Sequence, residues 1–260
     1  MDGGSTDGSV ELLRRHERPG LTWRSELDDG QSHALNKAYA MSRGDIIGWL
    51  NSDDAYFGPT SVEEAVRVFQ MNPDVAVVYG HGMLVNASGH LLQTLWVPPF
   101  SRTLLRLHDF IVQPAAFVRR NAIGDRFIDE TFDYTMDYEL WLRLAQQHRF
   151  QRLNRIVAID RHHSARKSLV MAEVGRVDHA QLQRQYGVAG GPVSQIGRKI
   201  WKVASRMIGS SLIPSAIRED VVFTAKHDDR RRMLVRQLTM LRASMETGDD
   251  SDDSTSSSRG

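Results

Sequence analysis

Three short stretches carry residues that could do chemistry. In GDIIGWLNSDDAYFGP (residues 44–59) an apolar run ends on two adjacent carboxylates, Asp53 and Asp54. If the run is a strand, both acids fall at its C-terminal end, the edge where open α/β sheets bind ligands. Paired carboxylates there suit a hard divalent cation, which takes oxygen ligands and is often shared with substrate phosphates. The same residue types also build an ordinary turn. In DYTMDYELWLRLAQQH (residues 133–148), Asp137 sits in the first turn of an amphipathic helix whose apolar side is Met136, Leu140 and Leu144. An acid there can serve as a general base or simply complement the helix dipole. Glu139 is the other candidate, but positions i and i+2 face different ways, so the two acids cannot serve one site. In RHHSARKS (residues 161–168), a histidine could hold a metal or a diphosphate, and Arg161 and Lys167 could neutralise diphosphate charge. A solvated surface histidine is the plain alternative.

The elements needed to position these residues can be read from periodicity. Helix is expected over about 9–16, strand over LTWRSE (Leu21–Glu26), and helix after Asp28 with Ser32 as an N-cap and Gly44 as its stop. Strands follow at DIIGWLN and VAVVYG, with a helix between them at about 61–70. A hairpin is expected around Asn86–Gly89, and an extended DFIVQPAAFVRR is interrupted by Pro114. NRIVAID is a further strand. This alternation through residue 160 points to an α/β sandwich with a mainly parallel central sheet. Gly190, Gly191 and Pro192 read as a linker. Beyond it, QIGRKIWKVASRMIGSSLI is a basic helix with Ile196, Ile200, Val203 and Met207 on one face, and RRRMLVRQLTMLRASM is a second basic stretch. The expected divisions are a catalytic domain over 1–187, a basic helical extension over 188–247 and a disordered acidic, Ser-rich tail over 248–260.

The bulk properties are those of a globular chain. It has 260 residues, a net charge of +1 and no cysteine. The charge gives no push toward nucleic acid. The absence of cysteine excludes disulfides and thiolate metal sites. No apolar run is long enough to span a bilayer. The loop DGGSTDGS (residues 2–9) is not a calcium loop, because acids are missing at its third and fifth positions, and its glycines spell neither a Rossmann nor a P-loop pattern.

Taken together, and in order, DGGSTDGS, SELDDGQSHALNKAYAMSRGDIIGWLNSDD, VQPAAFVRR, DETFDYTMDYELWLRLA and RHHSARKS resemble the family-2 glycosyltransferases of GT-A fold, in the branch that builds bacterial surface polysaccharides. The resemblance covers roughly residues 1–170. It implies that Asp54 binds Mg²⁺ or Mn²⁺ and that Asp53 faces the donor ribose or shares the metal. It implies that Asp2 contacts the nucleotide base, that Asp28 and Gln31 line the nucleotide pocket, and that Asp137 is the catalytic base. His163 would be a third metal ligand or diphosphate contact, with His162 adjacent as the alternative. Many relatives carry a second acid after the first; here Gly3 stands in its place. The implied activity is inverting transfer of a sugar from a nucleotide-diphosphate sugar to a hydroxyl of a glycan or lipid-linked acceptor. The alternative is a transferase fold that binds nucleotide, glycan or a partner without turnover. The basic helices over 195–245 would contact an anionic membrane peripherally, placing the chain in the cytoplasm or on the membrane's inner face, or else pack on the catalytic domain. In the family, a strand–helix–strand unit of roughly 30 or more residues precedes the DGGSTDGS loop. The expectation is therefore a chain cut short at Met1, with an exposed sheet edge, poor stability and weak activity.

Overall fold

The protein is described from a computed structural model over residues 1–162, 172–209 and 212. In chain order the main elements are α1 (Ser9–Arg15), α2 (Gln31–Met41), β1 (Ile46–Gly48), β2 (Ala55–Tyr56), α3 (Ser61–Met71), β3 (Val75–Asn86) and β4 (Leu91–Leu95). They continue with α4 (Arg102–Leu107), a 3₁₀ turn (Gln113–Ala115), β5 (Ala116–Arg119), α5 (Arg120–Ile123), α6 (Met136–Leu144), β6 (Arg149–His162), α7 (Ala172–Tyr186) and α8 (Gly191–Gly209).

The apolar run at Val75–Tyr79 behaves as a strand covered on both faces should: every residue from Val75 to Met83 is buried. It becomes the centre of a sheet ordered β1-β5-β3-β6-β2, with β4 folding back on β3 as the expected hairpin. The sheet is mixed. Its parallel character is concentrated in the long central pairing of β3 with β6, while β1–β5, β5–β3, β2–β6 and β3–β4 are antiparallel. Helix α6 lies against this core through Met136, Leu140, Trp141 and Leu144, all buried.

Three local expectations change. LTWRSE forms no strand; its one ladder contact among the described residues is a bridge between Ser25 and Asp2. Ser32 does not cap α2. Gly30 is the N-cap, and the buried Ser32 hydroxyl donates to the Phe132 carbonyl at 3.0 Å instead. Gly191 and Pro192 are not a linker but the first turn of α8. That helix is fastened to the sheet: the Ser205 hydroxyl accepts from the Trp96 amide at 2.9 Å and donates to the Thr94 carbonyl at 3.2 Å. No helix among the described residues is long and apolar enough to cross a membrane. The stretch RRRMLVRQLTMLRASM and the 248–260 tail lie outside the described residues.

Candidate functional site

A cleft of about 1590 Å³ opens between α2, the loop after β1, the segment 107–114, the start of α6, and helices α7 and α8. It gathers Gln31, Asp53, Asp54, Asp137 and His162 from four separate parts of the chain.

Asn51 organises the part of the cleft around Asp53 and Asp54. Its side-chain oxygen accepts from Gln31 Nε2 and Trp49 Nε1, both at 2.9 Å. Its amide nitrogen donates to Asp54 Oδ2 at 3.0 Å and to Gln113 Oε1 at 3.1 Å. Both donors and both acceptor positions of the amide are thus used. Gln113 also donates to the Trp49 carbonyl at 2.6 Å. These bonds lock α2, the SDD loop and the 113–115 turn together. Close approach helps: a Cβ at Gly48 would stand 2.6 Å from the Tyr56 hydroxyl.

Asp54 is set against other acids. Burial, then the charge of Asp160 at the end of β6 and that of Asp53, push its pKa up to about 6; the Arg161 amide, donating to Oδ1 at 3.2 Å, and Asn51 pull the other way. A half-buried carboxylate crowded by two others is electrostatically short of a positive charge. Arg161 does not face the cleft as a diphosphate contact. Its guanidinium is turned back to brace the loop, donating to the Asp53 carbonyl at 3.2 Å.

Asp137 lies half-buried in the first turn of α6, and its cleft position depends on α7. The buried Asp178 of α7 accepts the amides of Tyr134 at 2.8 Å and Thr135 at 3.0 Å, capping α6 from a neighbouring helix. Glu139, the other candidate base, is removed from the cleft. It is fully buried, paired with Arg143 at 3.0 Å and accepting from the Tyr186 hydroxyl at 2.7 Å. Across from Asp137 stands Asp109. Burial and the Asp137 charge push its carboxyl well above the usual range, against one stabilising bond from the Ile111 amide at 3.1 Å. Asp109 is thus inclined to keep its proton.

Asp2 and Asp28 do not line the cleft. Asp2 Oδ2 accepts from the amides of Gly4 and Ser5 and, at 2.6 Å, from the Ser25 hydroxyl, which holds its pKa down to about 2. Asp28 Oδ1 accepts from the Gly30 amide at 3.0 Å. Its Oδ2 stands 2.6 Å from where a Cβ on Gly3 would be, so it fills the space that a side chain at position 3 would need. His163 and Lys167 lie outside the described residues; His162 reaches the cleft. Sequence reasoning missed Asn51, Gln113, Asp109 and Asp160. Only Asp160 had a usable signal, since it too ends a strand.

With this geometry in place, the class is clear from comparison. A solved mannosyltransferase from Pyrobaculum calidifontis, in complex with GDP-Man and Mn²⁺, matches 92% of this chain and 69% of its own at a TM-score of 0.51 and 16% identity. That likeness places the chain in the GT-A fold. Residues 1–127 match the family model described as Glycosyl transferase family 2. Among curated relatives, the chondroitin synthase of Pasteurella multocida (strain Pm70) is 31% identical over 161 residues, covering 59% of this chain and 16% of that protein. The chondroitin synthase of Escherichia coli is 26% identical over 205 residues, covering 77% of this chain and 29% of that one. The O-antigen biosynthesis protein RfbC of Myxococcus xanthus is 32% identical over 127 residues, covering 48% and 10%. The chain spans less than a third of the length of each of these three relatives.

Proposed function

We propose that this chain transfers a sugar, with inversion, from a nucleotide-diphosphate sugar to a hydroxyl of a glycan or lipid-linked acceptor. The observation that carries the reading is one cleft holding an acid pair in the loop between β1 and β2 and a separate acid at the start of α6. The acceptor oxygen attacks the anomeric carbon as the bond to the diphosphate breaks, and the hydroxyl proton passes to the Asp137 carboxylate. Asp178 positions that carboxylate by holding the turn before it. Gln31 and Asp53, beside Asp54, are placed to meet the nucleotide; Asp2 and Asp28 reach it only through the loop they tie.

The donor set fits a divalent cation. Asp53, Asp54 and Asp160 offer hard oxygen ligands, and their mutual repulsion raises Asp54 in the absence of a counter-charge. Among the described residues no group of three or more acidic or histidine side chains that could hold a metal ion is found, so waters and substrate phosphates would have to complete the coordination of Mg²⁺ or Mn²⁺. Asp54 would hold the ion, with Asp53 and either His162 or His163 as further candidates. When bound, it would stabilise charge developing on the leaving diphosphate. The mannosyltransferase with GDP-Man and Mn²⁺ supports this reading by analogy of fold.

We further propose cytoplasmic work against the inner face of a membrane. The outer stripe of α8, with Ile196, Ile200, Val203 and Met207 exposed, is flanked by Lys199 and Arg206 and contains no acid. That pattern matches an anionic lipid surface.

The test is nucleotide-sugar hydrolysis and transfer with Mn²⁺, comparing the chain with Asp54→Ala and Asp137→Ala. Turnover in the unaltered chain, abolished in both variants, supports the proposal. Equal inactivity in all three with nucleotide still bound turns the reading to a binding module.

A further inference from the structure

The part of the cleft wall formed by α8 and His108 is built differently from the Asn51 cluster. The rings of His108 and Trp201 meet at a tilt of 58° with centroids 5.0 Å apart, and the His108 Nε2 and Trp201 Nε1 atoms are buried without a hydrogen-bond partner among the described residues. An indole nitrogen is a donor only, so Trp201 wants an acceptor. Arg198 and Lys202, one helical turn apart on α8, line the same wall and lack an acidic partner among the described residues. Like charges at i and i+4 repel, and nothing nearby on α8 relieves them. Asp109 and Asp137 also line the cleft, and on α7 Arg176 is already paired with Glu173. Burial and the two cations depress His108 to about 4, so it is neutral at physiological pH.

Two cations and two unsatisfied ring nitrogens on one wall describe a receptor for a compact, multiply charged oxyanion. We propose that the α8 end of the cleft is a phosphate subsite, held by Arg198, Lys202, Trp201 and His108, that seats a phosphate group of the acceptor. The word acceptor rests on the transferase reading; the anion site itself does not. Persistence of binding in Asp54→Ala would set it apart from a donor diphosphate held beside Asp54. A phosphate dianion meets the charge of both cations and supplies acceptor oxygens to the ring nitrogens.

The test uses the full chain and inorganic phosphate as the probe, followed by the NMR signals of the indole and imidazole nitrogens. Trp201→Phe assigns the Trp201 signal among the five tryptophans. The expected result is a saturable shift of the Trp201 and His108 signals that persists in Asp54→Ala. In Arg198→Ala/Lys202→Ala the affinity should fall about tenfold or more. Both replaced side chains are exposed, so the variant is expected to fold, and its remaining signals report that directly. Three results would overturn the proposal: no shift, a shift undiminished in the double variant, or a shift that disappears in Asp54→Ala. Glucuronate in place of phosphate separates the two anion chemistries, and an equal or stronger response to it replaces phosphate with carboxylate and overturns the assignment. Because binding is read without turnover, a chain that binds phosphate but never cleaves nucleotide sugar keeps this inference and loses the transferase reading; the reverse outcome does the opposite.

Discussion

Two aspartates of this molecule have opposite fates. Asp2, in the N-terminal loop, has its charge answered by two backbone amides and a serine hydroxyl, and its pKa falls to about 2. Asp54, at the cleft, faces Asp160 and Asp53 and is half-buried, and its pKa rises to about 6. The first carboxylate is satisfied by its own loop and works as a tie. The second is left in want of a positive charge, which is how a fold reserves a place for something it does not itself contain. The contrast separates a locally satisfied acid from an unsatisfied one more sharply than their motifs do, since both lie in loops rich in Asp, Gly and Ser.

The largest test of this contrast is turnover. Asp137→Asn should lower sugar transfer by about a thousandfold, and Asp54→Ala by at least as much, while Asp2→Asn should change it far less; a steady-state assay checks all three. Next comes the support of the base. Asp178→Ala should cost about 1–2 kcal/mol of stability by denaturant titration, through the loss of a buried cap, and should lower kcat more than it raises KM. The pH dependence should then separate the two acids. A folded-state pKa raised above the unfolded value means the native chain holds the Asp54 proton more tightly. Its contribution is therefore present at low pH and lost as pH rises through about 6. The metal-free chain should show a Tm that falls over that window, and Asp54→Asn should flatten the fall. Asp2 carries the opposite sign: its contribution is present above about 4 and lost as pH falls toward about 2. Being barely buried, it should produce only a small acid-side change. The smallest effect is at the surface. Ile200→Ser should weaken co-sedimentation with anionic liposomes several-fold; indifference to lipid charge would remove the membrane proposal.

Much of the fold and part of the site were legible in the sequence. The cleft positions of Asp53, Asp54 and Asp137 were legible because contiguous motifs carry them and the elements that present them have clear periodicity. The residues that complete the site were not, because their partners are remote. Asn51 meets Gln113 across 62 positions, and the Arg161 amide reaches Asp54 across 107. Ser32 looked like a cap by local rules, but its hydroxyl is taken by a carbonyl 100 positions away. Asp109 sits in an apolar run with no motif of its own, and only the folded proximity of Asp137 gives it a role. Asp2 and Asp28 went the other way: their spacing suggested ligand contacts, while the local bonds of their loops absorb their carboxylates.

The short run from His108 to Gln113 also has a metric meaning. Five residues of extended chain reach about 17 Å at most. One end touches the ring pair beside α8, and the other is bonded to the amide that steadies Asp54. Under the proposed anion site, the run is a spacer whose reach sets an upper limit on the distance between a bound anion and the Asp54 end of the cleft. On a polymer with repeating phosphates, such a spacer would choose which hydroxyl is modified by counting from the phosphate. Adding or removing one residue there should move the modification along the polymer rather than abolish it.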